Sequence, residues 1–239
     1  MKRISRDSVV RTWFMRGLES YFAAFCIPFN EPSIRFQSFL YIVGLELVSK
    51  AYLLAMHANE YKEMKYEKGK KEIESIAKRK EYRHNLANMA KSIRDDSGDE
   101  EFASILDSQF SINFGNGFEM LENMEAGYNE CRYPVSQVIS KKYPVDNYEG
   151  AYWLLFESTD IRDFAFVYAK AILRLLNEKY NIQIPASWFF NIFGGESGKR
   201  FLRSCFGQRF LDYLLLNKNQ ITTIRHTLQN HPTIQSQSE

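Results

Sequence analysis

Arg225 and His226, separated by four residues from His231, form the string in this chain whose side chains could do chemistry. Arginine fixes a phosphate through a rigid fork of donors, and histidine carries a proton near neutral pH. Kept together, those abilities supply much of what cleavage of RNA by its own 2′-hydroxyl needs. In that chemistry His231 is general base or acid and Arg225 stabilises charge on the phosphorane-like transition state. His226 orients the phosphate or His231. At 3.6 residues per turn, Arg225 and His231 lie about 120° apart around an ideal helix. They meet only if the helix unwinds or a second protomer completes the site. Pro232 forces His231 out of helical dihedrals, which could supply the unwinding. The same string also fits a polar helix end without chemistry. A second Arg–His string, Arg79-Lys-Glu-Tyr-Arg-His84, is one residue shorter and has Lys after the arginine.

Glu46, Lys50 and His57 form the other candidate constellation, at offsets that place them on one face of an apolar helix. They read either as a buried polar stripe or as a surface Glu–Lys helix pair beside an exposed histidine. Gly194-Gly-Glu-Ser-Gly-Lys199 is no phosphate loop, since Phe193 and Arg200 occupy positions that need Gly and Ser or Thr. Histidines and acids lack zinc-ligand spacing, and no Ser or Cys has a histidine close in sequence. The run Asp95-Asp-Ser-Gly-Asp-Glu-Glu101 lacks the EF-hand order, so its acids are expected to cap the positive end of a helix near Glu101 to Asp107. No metal and no cofactor is expected.

The elements that must position these residues read as helices. Val10, Trp13, Phe14, Leu18, Tyr21, Phe22 and Phe25 recur at helical intervals, giving a helix from Ser8 to Ile27 stopped by Pro28. Pro32-Ser33 opens a longer helix to about His57, apolar on so many sides that it should be central. Residues 60 to 83 carry nine Lys or Arg against six Glu. They read as a solvated helix or charged connection, with a ridge facing nucleic acid as the alternative. A short helix from Asn85 to Ile93 follows. Periodicity weakens between Ser111 and Gly150 and resumes from Tyr152 to Tyr180. A loop at Gly194 to Gly198 precedes a helix from Lys199 to Leu216, and Asn219 caps a last helix that must end by Pro232.

The whole is read as an all-α protein, with one domain over 1–232 and a polar, disordered tail over 233–239. With 45% hydrophobic and 25% charged residues, the chain has the balance of a soluble globular protein. Only 12 Gly and 6 Pro argue against a sandwich of many short strands. A net charge of +2 excludes a grossly basic nucleic-acid coat but leaves room for a local basic face. Cys26, Cys131 and Cys205 are odd in number and far apart, which suits a reducing cytosol. The longest apolar run, Phe39 to Met56, carries Glu46 and Lys50 near its centre, so no membrane span is expected. The expected location is cytoplasmic.

Glu46-Leu-Val-Ser-Lys50-Ala-Tyr-Leu-Leu in a central helix, His84-Asn-Leu opening a later helix, and Arg225-His226-x4-His231 together resemble HEPN-domain proteins. The resemblance covers roughly residues 30 to 95 and the C-terminus. It implies a compact α-helical bundle, usually a homodimer. The family's catalytic branch consists of metal-independent ribonucleases of toxin–antitoxin and antiviral defence systems, with an Arg-x4-6-His motif that Arg225 and His231 match. His226 occupies the polar slot after the arginine. Other members lack the motif and bind a nucleotide, RNA or partner protein. By this resemblance the expected partners are RNA, a second copy of the chain, and an antitoxin or other partner protein.

Overall fold

A computed structural model describes residues 3–27, 31–111, 115–132 and 158–216. The fold is all-α. Its helices are α1 (Arg6–Cys26), α2 (Glu31–Met56), α3 (Tyr66–Ala77), α4 (Leu86–Ser97), α5 (Glu100–Asp107) and α6 (Gly117–Arg132), then α7 (Ser158–Tyr180), α8 (Ala186–Phe193), α9 (Glu196–Phe206) and α10 (208–216). A small antiparallel hairpin, β1 (Gln109–Ser111) with β2 (Gly115–Asn116), is the only sheet among the described residues. Two compact units divide the chain, Met1–Ile184 and Pro185–Glu239.

In the first unit the predicted stripe of α1 is the buried one: Val10, Phe14, Leu18 and Tyr21 are fully covered. Each such side chain contributes roughly 1.5–3 kcal/mol through the surface it removes from water. Helices α1 and α2 share the most extensive packing, and two glycines allow it. A Cβ on Gly17 would stand 2.6 Å from Val48 Cγ2, and one on Gly44 would stand 2.2 Å from Tyr21 Cε1. The backbones therefore approach closely where both residues lack a side chain.

Helix α2 is central, as its all-round apolar surface predicts. It packs on α1, α4, α6 and α7, and buries Tyr41, Leu45, Val48 and Tyr52 completely. The segment Phe36–Met56 is long and apolar enough to cross a membrane by length and composition, yet 72% of its most apolar window is buried within the protein. Polar anchors fix α2 to its neighbours. Ser49 Oγ meets Tyr168 Oη of α7 at 2.9 Å. The Asp96 carboxylate of α4 accepts hydrogen bonds from Tyr52 at 2.8 Å and Tyr180 at 2.6 Å, and pairs with Lys179 at 2.9 Å. One carboxylate thus ties α2, α4 and α7 together.

Local sequence signals explain several boundaries. Asn85 caps α4 by accepting from Asn88 N at 2.8 Å, and Gly98 ends that helix in the left-handed region at φ 62°. Asp99 caps α5 by accepting from Phe102 N at 2.7 Å, the role expected of the acidic run. Arg174 of α7 also grips Asp99 through both Nη groups, at 2.8 and 2.7 Å. Asn116 and Glu119 form a reciprocal capping box at the start of α6, with bonds of 2.9 and 3.0 Å.

In the second unit, Phe189, Phe206 and Phe210 form a mutually contacting aromatic cluster, and Phe193 stacks against Phe201 at 5.2 Å. The helix expected from Lys199 to Leu216 is instead two helices. Gly207 breaks it at φ 89°, and α9 begins earlier, at Glu196. The expected last helix, the Pro232 stop and the tail 233–239 lie outside the described residues.

Candidate functional site

Glu46 and Lys50 stand one turn apart on α2, and the helix buries both, to 9% and 7% exposure. Lys50 Nζ donates to Glu46 Oε1 at 2.5 Å. Two charges removed from water are tolerable only when they satisfy each other, which this spacing secures. The second carboxylate oxygen, Oε2, faces His84 Nδ1 at 3.0 Å. Arg83 and His84 form the bend that leads into α4, and His84 adopts φ 55° there. That left-handed conformation is uncommon outside glycine, although histidine enters it more readily than most residues. Asn85 caps the helix immediately afterwards, so the bend and the cap together hold the imidazole over α2.

The chemistry of this trio follows from its donors and acceptors. An ionised carboxylate only accepts, so His84 donates from Nδ1 and its neutral form carries its basic nitrogen at Nε2. The side chain of His84 is 39% exposed, against 11% for Glu46. This is an imidazole oriented by a carboxylate whose charge is balanced by an ammonium, an arrangement suited to holding or moving a proton. Glu125 of α6 stands nearby. Burial pushes its carboxyl above the ordinary range and Glu122 adds to the rise, while His84 and a hydrogen bond from Leu86 N oppose it. Thus α2, the bend before α4, and α6 all contribute ionisable groups to one locality.

His57 lies in a different cluster. At the C-terminal end of α2, its Nδ1 meets Glu60 Oε1 at 2.8 Å and its Nε2 meets Tyr82 Oη at 3.2 Å. Arg79 approaches the same ring at 3.1 Å and grips Glu60 Oε2 at 2.5 Å. Burial alone would raise the Glu60 carboxyl, but hydrogen bonds and charge from His57 and Arg79 outweigh it and hold it below the ordinary range. Both imidazole nitrogens have protein partners, so this cluster reads as a clamp between the end of α2 and the 78–84 bend.

Of the residues singled out from sequence, the structure joins Glu46 with Lys50 and gives them His84, rather than His57, as the third member. Arg79 and His84 of the second Arg–His string take different partners, Glu60 and Glu46. Arg225, His226 and His231 lie outside the described residues. Among the described residues no group of three or more His, Cys, Asp or Glu could hold a metal ion. Glu125 escaped the sequence reading because a glutamate on an amphipathic helix carries no local mark of burial; only the His-x-Leu string pointed toward this locality. No protein-family model, curated protein or solved structure matches this chain.

Proposed function

We propose that this chain is a HEPN-like α-helical domain that cleaves RNA without a metal, as part of a toxin or antiviral defence system. One observation supports the reading most. Glu46, Lys50 and His84, the residues of two separate strings that carry the resemblance, meet in one half-buried cluster although His84 is 38 positions from Glu46.

In the proposed reaction His231 takes the proton of a 2′-hydroxyl, whose oxygen attacks the adjacent phosphorus. The bond from phosphorus to the 5′-oxygen breaks, and that oxygen takes a proton from water, while His231 later returns its proton to solvent. The products are a 2′,3′-cyclic phosphate and a 5′-hydroxyl. Arg225 stabilises the charge that builds on the phosphoryl oxygens, and His226 orients the phosphate or His231. A homodimer would bring Arg225 of one protomer to His231 of its partner.

The test is cleavage of single-stranded RNA by the purified full chain. His231→Ala and Arg225→Ala should each lower the rate by roughly 100-fold or more. Neither should lower the melting temperature by more than a little, and EDTA should leave activity intact. Activity that survives both substitutions would place the chemistry elsewhere. A second reading is a non-catalytic HEPN-like domain that binds a nucleotide, RNA or partner protein such as an antitoxin. The mutual satisfaction of Glu46, Lys50 and His84 favours it, because a closed trio can also serve as a structural lock. Wild-type protein inert toward RNA would decide for that reading.

A further inference from the structure

A cavity of about 680 Å³ opens in the first unit between the segment leading into α1 and the end of α2. One wall is a short backbone ladder: Ile4 N donates to Met64 O and Glu63 N to Ile4 O, each at 3.1 Å. This ladder pairs Arg3 with Lys65 across the two segments. The floor includes the apolar side chains of Ile4, Ala55 and Ala58, with Tyr180 beside them. The volume lies within the range of about 300–1,000 Å³ common to small-molecule sites.

Its charges are unevenly matched. Arg3, Arg6 and Lys62 line the cavity beside only two acids, Asp7 and Glu63. Asp7 is shared, since Arg6 Nε reaches it at 2.9 Å and Arg11 at 3.5 Å. That contact uses the Nε of Arg6 and leaves both its Nη groups without a partner among the described residues. Arg3 gives one Nη to Glu63 on an exposed rim. Lys62 is exposed, and its ammonium has no ion-pair partner among the described residues. Unsatisfied guanidinium donors and an ammonium around an apolar floor match a dianion with several acceptor oxygens on an apolar body.

We propose that this cavity binds a small phosphate monoester, its phosphate between Arg3, Arg6 and Lys62 and its body on the floor beside Tyr180. The site is independent of the ribonuclease reading. Phenyl phosphate is the probe, titrated into the full chain by calorimetry, with inorganic phosphate and benzoate in parallel. Saturable binding of phenyl phosphate is expected about tenfold or more tighter than either control. Lys62→Glu should weaken it by about tenfold or more, and Lys62→Arg should retain it. Arg6→Gln should also weaken it. Because the Lys62 ammonium holds no ion-pair partner among the described residues, Lys62→Glu should melt at the wild-type temperature. Three results would each overturn the proposal: no saturation by about 10 mM, equal affinity for inorganic phosphate or benzoate, or unchanged affinity in Lys62→Glu.

Discussion

Removing the Glu46 carboxylate should be among the most damaging single changes in the first unit. Glu46→Ala leaves the Lys50 ammonium at 7% exposure with its carboxylate gone, and takes the acceptor from His84 Nδ1. Breaking a buried ion pair from one side costs about 3–5 kcal/mol. For a chain of this size each kcal/mol moves the melting temperature by about 2–4 °C, so a fall of roughly 6–20 °C is expected. Lys50→Met should do less harm, because His84 still donates to Glu46 and the thioether fills much of the lysine's volume; about 1–2 kcal/mol is expected. The double substitution Glu46→Leu with Lys50→Met removes both charges and should lie within about 1 kcal/mol of wild type, or above it. Urea unfolding of wild type, Glu46→Leu, Lys50→Met and the double variant closes a double-mutant cycle, with a coupling of about 2 kcal/mol or more. Equal, negligible losses for both single variants would refute the reasoning and make the pair an exposed ornament. A double variant as unstable as Glu46→Ala would show instead that the carboxylate acts through His84 alone.

Other expectations follow from single contacts. Burial would push the Asp96 carboxyl up, but hydrogen bonds from Tyr180, Lys179 and Tyr52 outweigh it and hold it below its ordinary value of 3.8. The stability this group supplies is therefore complete above that value and lost as the pH falls through its lower, folded value. The difference in melting temperature between wild type and Asp96→Asn should shrink on acidification from about pH 5 to about pH 2, and a constant difference would contradict it. Gly44→Ala should destabilise by about 1–3 kcal/mol, because the new Cβ would stand inside the Tyr21 ring's contact distance. A melting temperature equal to wild type would show that α1 and α2 separate freely. Gly207→Ala, at φ 89° with nothing near its Cβ, should lose about 1–2 kcal/mol from backbone strain alone, read by thermal melting of the second unit.

Amino-acid order alone determined the helices, because the signals that make them are local. The stripe Val10, Phe14, Leu18 and Tyr21 is complete within one element, as are the caps at Asn85 and Asp99. The centrality of α2 was legible for the same reason, since a helix apolar on all sides has nowhere stable but the interior. The Glu46–Lys50 pair was visible as an i,i+4 spacing, yet its burial was not. Whether such a pair faces water or protein depends on what packs over it, and α4, α6 and α7 do so from distant parts of the chain. Only the tertiary structure replaced His57 with His84, because a helix face shows which residues share one side and not which bend is folded back upon it. The break at Gly207 shows the same limit at short range. Amphipathic periodicity runs on across it from Lys199 to Leu216, and the packing of Phe189, Phe206 and Phe210 accompanies two helices there rather than one. Local periodicity is set by neighbours three and four residues away, whereas the partner of a buried charge is set by the closure of the whole bundle.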